Sequence, residues 1–238
     1  MRDAGSMLSE LGVENVGKIT VVRASVMGSP NIGVFSKATD GYVLLPEGIP
    51  KRRIEKVSRL FKVKVLTVDL CDSKLLGVLP AANSHGILLP YYAGEEEEKL
   101  LRRELGVETG TIKSRYTSLG NLILANDKGA IVSPLLGKRA LRKVEDVLNV
   151  EAVHGSIAGL PLPGSTVAAT NKGALLHPEA SDKDMDLVSD VLKVRVGVGT
   201  VNGGVSLVAS GLIGNSHAVM VGSLTTGPEL MTISTIFR

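Results

Sequence analysis

The feature of this sequence that most constrains its fold is an internal period of about 44 residues. Proline stands at positions 46, 90, 134 and 178, at intervals of 44 residues, and a fifth step reaches Gly222. A fixed period of this length is typical of an array of small units that bury their apolar faces against one another. The sequence therefore predicts five pseudo-symmetric repeats in one array.

Each repeat contains a predicted β-hairpin. A short turn rich in Asn, Asp and Gly separates two apolar segments, a pattern that is typical of a hairpin. The strands predicted before the turns are Ile32–Phe35, Leu76–Leu79, Leu122–Ala125, Thr166–Ala169 and Leu212–Ile213. The strands predicted after the turns are Tyr42–Leu45, Ile87–Leu89, Ala130–Val132, Ala174–Leu176 and Ala218–Val221.

A helix and one more strand follow each hairpin. Apolar residues at 54, 57, 60 and 61 share one helical face, and the pattern recurs at 230, 233, 236 and 237. Strands are predicted after the first four helices, at 63–68, 107–112, 150–157 and 194–201. A fifth would begin beyond the last residue, and residues 21–26 resemble the strand of the third repeat. We therefore expect an N-terminal strand to close a single α/β domain over residues 21–238.

Residues 1–20 lie outside the repeat pattern. We expect a short helix around residues 7–11 or partial disorder there, as for most untethered termini. This segment carries Asp3, Glu10 and Glu14 and no long apolar stretch, which argues against a signal peptide. Cys71 is the single cysteine, so an internal disulfide is excluded and a reducing, cytoplasmic location is expected. The net charge of +3 leaves the partner open.

Several motifs resemble those of the translation initiation factor six family, in the same order along the chain. They are Val22–Ser25, Asn83–Pro90, Ser118–Leu122, Ala125–Asp127, His154–Gly159, Thr170–Pro178 and Gly199–Asn202. The resemblance extends from about Val21 to Phe237, and the chain lacks the acidic, Ser-rich tail of eukaryotic members, so an archaeal member is expected. It implies the pentein β/α-propeller, in which five such repeats form a closed ring.

The resemblance also implies a function without catalysis. Members of this family bind the large ribosomal subunit beside the sarcin–ricin loop and sterically prevent the small subunit from joining, and they are linked to large-subunit maturation. The expectations are a monomer with no cofactor, no small-molecule substrate and no membrane partner.

The hairpin turns are the predicted docking surface, because five equivalent turns project from one end of a ring. The first circle of turn residues is taken to be Thr39, Asn83, Asn126, Asn171 and Asn215. The predicted ribosome-binding residues are Val78, Asn83, Ser84, His85, Asn126, Asp127, Lys128, Asn171, Lys172 and Asn215. The alternative for each Asn is turn chemistry, since Asn and Asp tolerate the left-handed backbone of tight turns.

Three other interpretations are open at this point. His85 and His217 occupy equivalent positions, but a metal needs three or four ligands, and Gly is expected at the other three positions. An enzyme acting on guanidino compounds, as in other penteins, would use Cys71, although the acidic neighbours Asp69 and Asp72 would raise its pKa. Basic residues at 51–53 and 138–143 indicate solvated helix faces or an RNA contact.

Overall fold

The computed structural model describes residues 13–16 and 19–238 and shows a mixed α/β architecture of five small sheets. Each sheet has a first, a middle and a third strand. The first strands are β3 Lys37–Ala38, β6 Ala81–Ala82, β9 Ile123–Ala125, β12 Val167–Ala169 and β15 Leu212–Gly214. The middle strands are β4 Tyr42–Leu45, β7 Gly86–Pro90, β10 Ala130–Val132, β13 Gly173–Leu176 and β16 Ala218–Gly222. The third strands are β5 Lys64–Thr67, β8 Glu108–Ile112, β11 Ala152–His154, β14 Arg195–Val198 and β2 Ile19–Ala24.

The N-terminal strand completes the sheet of the fifth repeat, as the period predicts. Strand β2 runs parallel to β16, with Val21 opposite Val219, just as β5 runs parallel to β4 in the first repeat. Strand β1, Val13–Val16, pairs antiparallel with the outer edge of β2. Residues 7–11, for which a short helix was predicted, lie outside the described residues.

Five helices of 11 residues follow the hairpins, where the apolar spacing predicts them. They are α2 Lys51–Phe61, α3 Glu95–Leu105, α5 Lys138–Leu148, α7 Asp182–Leu192 and α8 Gly227–Phe237. Val57 and Phe61 are buried in α2, and Ile233 and Phe237 are buried in α8. No helix among residues 13–16 and 19–238 is long and apolar enough to cross a membrane.

The sequence prediction of strands is wrong for the segments that precede the first strand of each sheet. Ile32–Phe35 forms the short helix α1, and the strand predicted at Leu76–Leu79 is a turn. Equivalent short helices are α4 Leu119–Leu122, α6 Pro163–Thr166 and a 3₁₀ turn at Val208–Ser210. A run of four apolar residues does not distinguish a buried helical turn from a strand, which explains the error.

Small residues in these segments bring neighbouring repeats into backbone contact. A Cβ atom on Gly77 would lie 1.6 Å from the carbonyl oxygen of Gly33, and one on Gly120 would lie 2.2 Å from that of Gly77. A Cβ atom on Gly164 would similarly meet the oxygen of Gly120, and one on Gly33 would meet that of Ala209. Only glycine fits such approaches. The contacts link successive repeats and return from the fifth repeat to the first.

The hydrophobic core is divided into five clusters that neighbouring repeats share. Val43 and Phe61 of the first repeat pack in one cluster with Ile213 and Met220 of the fifth. Burial of apolar surface between repeats stabilises the array by about 25 cal/mol per Å² removed from water. Each repeat therefore depends on its neighbours for a complete core.

Candidate functional site

The first side chain of each hairpin turn is buried. These side chains are Thr39, Asn83, Asn126, Thr170 and Asn215. The prediction of Asn171 at this position is wrong, because the fourth turn begins one residue earlier, at Thr170, which accepts the turn-closing hydrogen bonds from Lys172 and Gly173 through its hydroxyl group. A Thr hydroxyl oxygen thus replaces an Asn amide oxygen in two repeats.

Asn126 shows what the buried amides do. Its Oδ1 accepts hydrogen bonds from the backbone N–H groups of Lys128, at 2.9 Å, and Gly129, at 3.1 Å, which closes its own turn. Its Nδ2 donates to the carbonyl oxygens of Thr170, at 3.2 Å, and Leu192, at 2.9 Å, in the next repeat. One side chain therefore fixes a turn and joins two repeats.

Asn83 and Asn215 repeat this arrangement. The Nδ2 of Asn83 donates to the carbonyl oxygens of Asn126 and Leu148. The Nδ2 of Asn215 donates to those of Thr39 and Phe61. Leu148, Leu192 and Phe61 are the last residues of their helices, whose carbonyl groups lack partners inside the helix. The C-terminal ends of these helices therefore lie at the same end of the protein as the turns.

The second side chains of the turns form a continuous hydrogen-bonded network, which we call the turn network. Its members are Asp40, Ser84, Asp127, Asn171 and Ser216. Asn171 Nδ2 donates to Asp40 Oδ2 at 2.7 Å and to Asp127 Oδ2 at 2.6 Å. Ser84 donates its backbone N–H and its hydroxyl to Asp127, and Ser216 donates the same two groups to Asp40. The network connects all five repeats through side chains separated by at least 43 positions.

Asp40 and Ser216 belong to this network although the sequence prediction omitted both. The equivalence of Asp40 and Asp127 can be read from the sequence, because Asp40 follows Thr39 in the first turn as Asp127 follows Asn126 in the third. The sequence prediction did not include Asp40, because no local pattern reveals a hydrogen bond between residues 40 and 171.

The third residues of the turns are exposed, and we call the surface they form the turn face. They are Gly41, His85, Lys128, Lys172 and His217. The expectation of Gly at three of these positions is therefore wrong for Lys128 and Lys172. Lys128 Nζ donates to the carbonyl oxygens of Asn171 and Lys193. Over the described part of the chain, the side chains of His85, Lys172 and His217 have no hydrogen-bond partner.

Val78 is not brought to the turn face. It is half-buried beside Gly77, at the far end of β6, and its carbonyl oxygen accepts a hydrogen bond from the backbone N–H of Gly120 at 2.8 Å. Four residues lie between Val78 and Asn83, and the strand β6 is among them. The structure thus brings the other predicted residues together and leaves Val78 apart.

The two basic clusters lie away from the turn face. Lys51 and Arg52 begin α2, and Lys138 and Arg139 begin α5, all four exposed. Since the C-terminal ends of these helices lie at the turn end, their N-terminal ends point to the opposite end. These residues lie at the starts of α2 and α5, in the first and third repeats, and away from the turns.

Cys71 has none of the surroundings of a reactive thiol. Burial raises its pKa to about 11, with further contributions from Glu97 and Asp72. Its backbone is left-handed, with a φ of 55°, and its N–H group donates to the carboxylate of Glu97. It does not line the central cavity between the repeats. Within residues 13–16 and 19–238, no group of three His, Cys, Asp or Glu side chains could hold a metal ion.

Carboxylates at the third position of three helices hold tight turns of the chain. Asp184 and Glu229 complete capping boxes with Ser181 and Thr226, and Glu97 accepts a hydrogen bond from the backbone N–H of Gly94 at the start of its helix. Glu229 also accepts hydrogen bonds from the backbone N–H groups of Gly203 and Gly204 and from the hydroxyl of Thr200. The capping boxes predicted at Ser181 and Thr226 are confirmed.

Glu229→Gln is expected to destabilise the protein near neutral pH. Burial alone would raise the pKa of Glu229, but hydrogen bonds from Thr226, Thr200 and Gly203 lower it to about 2. Because its pKa is lower in the folded protein, the carboxylate stabilises the folded state at pH values above its pKa in the unfolded chain, which is about 4.3. This contribution is lost as the pH falls towards 2. We expect a loss of about 1–2 kcal/mol at pH 7, allowing for solvent screening. Urea unfolding at pH 7 and pH 3 measures it, and an equal loss at both pH values would contradict this origin.

Comparison with known proteins identifies the relatives of this chain. The model of the eIF-6 family matches residues 21–236. The chain is 48% identical over 217 residues to translation initiation factor 6 of Nitrosopumilus maritimus, covering 91% of this chain and 98% of that protein. It is 50% identical over 210 residues to translation initiation factor 6 of Pyrococcus furiosus, covering 86% and 92%. It is 46% identical over 224 residues to that of Aeropyrum pernix, covering 93% and 96%.

Proposed function

The chain belongs to the eIF-6 family, and we propose that it binds the large ribosomal subunit through the turn face and sterically prevents the small subunit from joining. It acts in the cytoplasm as a monomer, without cofactor or chemical step, and it also takes part in large-subunit maturation. The observation that carries the proposal is the exposure of the third turn residues at one end of a connected array.

The turn face suits docking because its backbone is held in place before binding. Asn83, Asn126 and Asn215 fix three of the five turns from inside, and the turn network ties the turns to one another. A preorganised surface loses little conformational entropy on association, so more of the contact energy appears as affinity. The buried amides therefore support docking by shaping the turns, while the exposed side chains make the contacts.

The charge of this end suits a partner that contains RNA. Lys128 and Lys172 stand on the turn face, and Lys62 and Lys193 are exposed at the C-terminal caps of α2 and α7. Lysine side chains contact phosphate oxygens, which fix the position and orientation of a protein on nucleic acid. Such contacts predict binding that weakens as salt concentration rises.

We propose the pentein β/α-propeller as the arrangement of the five repeats, in one domain. The contacts that return from Gly33 to Ala209, and the pairing of β2 with β16, support a closed ring. A closed array of five short sheets presents a broad, rigid end to the ribosome, and its bulk alone is enough to obstruct a second large particle. No moving part is required.

The enzyme alternative finds no support at Cys71. A thiol with a raised pKa is a poor nucleophile, because the thiolate is the reacting species. Catalysis on a guanidino group would also require a His and carboxylates within hydrogen-bond reach of the sulfur. The groups that approach Cys71 are the acidic side chains of Glu97 and Asp72.

Sucrose-gradient sedimentation with separated archaeal ribosomal subunits tests the proposal. We expect the protein to migrate with the large subunit and not with the small subunit. When the small subunit is added last, fewer joined ribosomes are expected than without the protein. A protein that stays at the top of the gradient at low salt, or that migrates equally with both subunits, would contradict the proposal.

A further inference from the structure

The outer surface of α8 differs from that of the other four long helices. Met231 stands in the second turn of α8, and the residues at the same position of the other helices are Glu55, Lys99, Arg142 and Asp186. Those four side chains are charged and exposed. Met231 is exposed over 69% of its surface. The fifth repeat therefore presents an apolar side chain to solvent where the other repeats present a charge.

Leu224 adds a second exposed apolar side chain just before α8, with 62% of its surface exposed. In the part of the chain that the structure describes, Met231 and Leu224 are the two most exposed of the large apolar side chains. Both lie at the end of the protein opposite the turns, because α8 begins there. Single exposed apolar residues are ordinary on protein surfaces, but two of them on one short segment indicate a contact surface.

Met231 lies on the side of α8 that is turned towards the N-terminal strands. The other side of the helix meets β14, since a Cβ atom on Gly199 would lie 3.3 Å from Cγ2 of Thr232, and one on Gly197 would lie 2.7 Å from Cδ1 of Ile236. Met231 precedes Thr232 by about 100° around the helix, in the direction away from Ile236. The same helix also shares a core cluster with β2. The side of α8 that carries Met231 is therefore the side of β2 and β1.

The N-terminal segment joins the described structure next to this surface. Val13, the first residue of β1, stands opposite Val22 of β2. The next residue of β2, Arg23, donates a hydrogen bond from Nε to the carbonyl oxygen of Thr225 at 2.7 Å. Val13 is thus one strand spacing, about 5 Å, and one residue away from a contact with the segment that carries Leu224.

Residues 1–12 carry apolar side chains that suit such a surface. Met7, Leu8 and Leu11 have the spacing of one side of a helix. The chain from Leu8 to Val13 can span up to about 17 Å, and a helix with its side chains is about 10 Å wide, so the segment can reach across α8. The match to the eIF-6 family model begins at residue 21, so this segment lies outside the part that the family model describes.

We propose that residues 1–12 pack across the outer surface of α8, with the apolar side chains of this segment covering Met231 and Leu224. The occupant is a segment of the same chain, because its attachment to β1 keeps it at a high local concentration beside the surface. The contact fastens β1, and through it the closing strand β2, to the last helix of the array. It lies at the end opposite the turn face, so it is independent of the proposed ribosome docking.

The rate of thiol labelling at position 231 tests the contact directly. The experiment uses Met231→Cys in the full chain with Cys71→Ser, so that the introduced thiol is the one that reacts. We expect Leu8→Asp with Leu11→Asp to raise the labelling rate about fivefold, which corresponds to a segment that covers the position in about four fifths of the molecules.

Two controls make this result specific. Ser6→Asp with Ser9→Asp adds the same charge on the other side of the predicted helix and should leave the labelling rate unchanged. A thiol introduced by Asp186→Cys, at the equivalent position of α7, should react at the same rate with and without the leucine substitutions. Equal labelling of position 231 in all variants would overturn the proposal. Protection that grows with protein concentration would also overturn it, because a second copy would then be the occupant.

Thermal unfolding provides an independent measure of the contact. Leu8→Asp with Leu11→Asp is expected to lower the Tm by about 3 °C, because apolar surface on α8 returns to water. In a chain that already carries Met231→Asp, the same two substitutions should cause little further loss. A fall in Tm that is as large with Met231→Asp as without it would overturn the proposal.

Discussion

Asn126→Ala is expected to lower the free energy of unfolding by about 4 kcal/mol, although Asn126 belongs to a turn. The substitution removes four hydrogen bonds, two that close the turn and two that reach Thr170 and Leu192 of the next repeat. Three of the four hydrogen bonds are buried, and each buried backbone group left without a partner costs about 1–3 kcal/mol. Urea unfolding followed by circular dichroism measures the loss.

Two matched variants separate the contributions at this position. Asn126→Thr keeps an oxygen that can close the turn, as Thr39 and Thr170 do in their repeats, but it removes the donor to the next repeat. We expect about half of the loss for Asn126→Thr. Lys172→Ala, at an exposed position of the neighbouring turn, should change stability by less than about 0.5 kcal/mol. If Asn126→Ala proved as stable as Lys172→Ala, the linking role of the buried amide would be wrong.

The double variant His85→Glu with Lys172→Glu is expected to bind the large ribosomal subunit about 30-fold more weakly than the wild type. Both side chains are exposed on the turn face, so their replacement leaves the core intact. Each new carboxylate would face phosphate groups across the proposed interface, which is repulsive. Pelleting with a fixed amount of large subunit over a range of protein concentrations measures the affinity.

The control for this variant is Lys138→Glu with Arg139→Glu, at the start of α5 and at the opposite end of the protein. The control changes the net charge by at least as much as the turn-face variant does. Its new acidic residues lie in the first turn of a helix, where they interact favourably with the helix dipole. We expect near wild-type affinity. Equal weakening by both variants would mean that overall charge, and not the turn face, governs binding.

The repeats and their long helices could be predicted from the sequence because their signals are local. The apolar spacing of α2 and α8, and the capping boxes at Ser181 and Thr226, depend on residues within one helical turn of each other. The closing strand β2 was predictable for a different reason. Four repeats contain their own third strand and the fifth does not, so its third strand has to come from the N-terminal segment.

The chemistry of the turns could be predicted only in part. An Asn in a tight turn is ambiguous, and its burial at Asn83 or Asn126 results from carbonyl groups 43 to 66 positions away. The helix α1 was mistaken for a strand because four apolar residues carry no clear period.

Electron cryo-microscopy of the protein bound to the archaeal large subunit tests the central claim most directly. We expect the end bearing His85, Lys128 and Lys172 to face the subunit, and the body of the protein to occupy space needed by the small subunit. A complex in which the starts of α2 and α5 contact the subunit while the turn face points to solvent would contradict it.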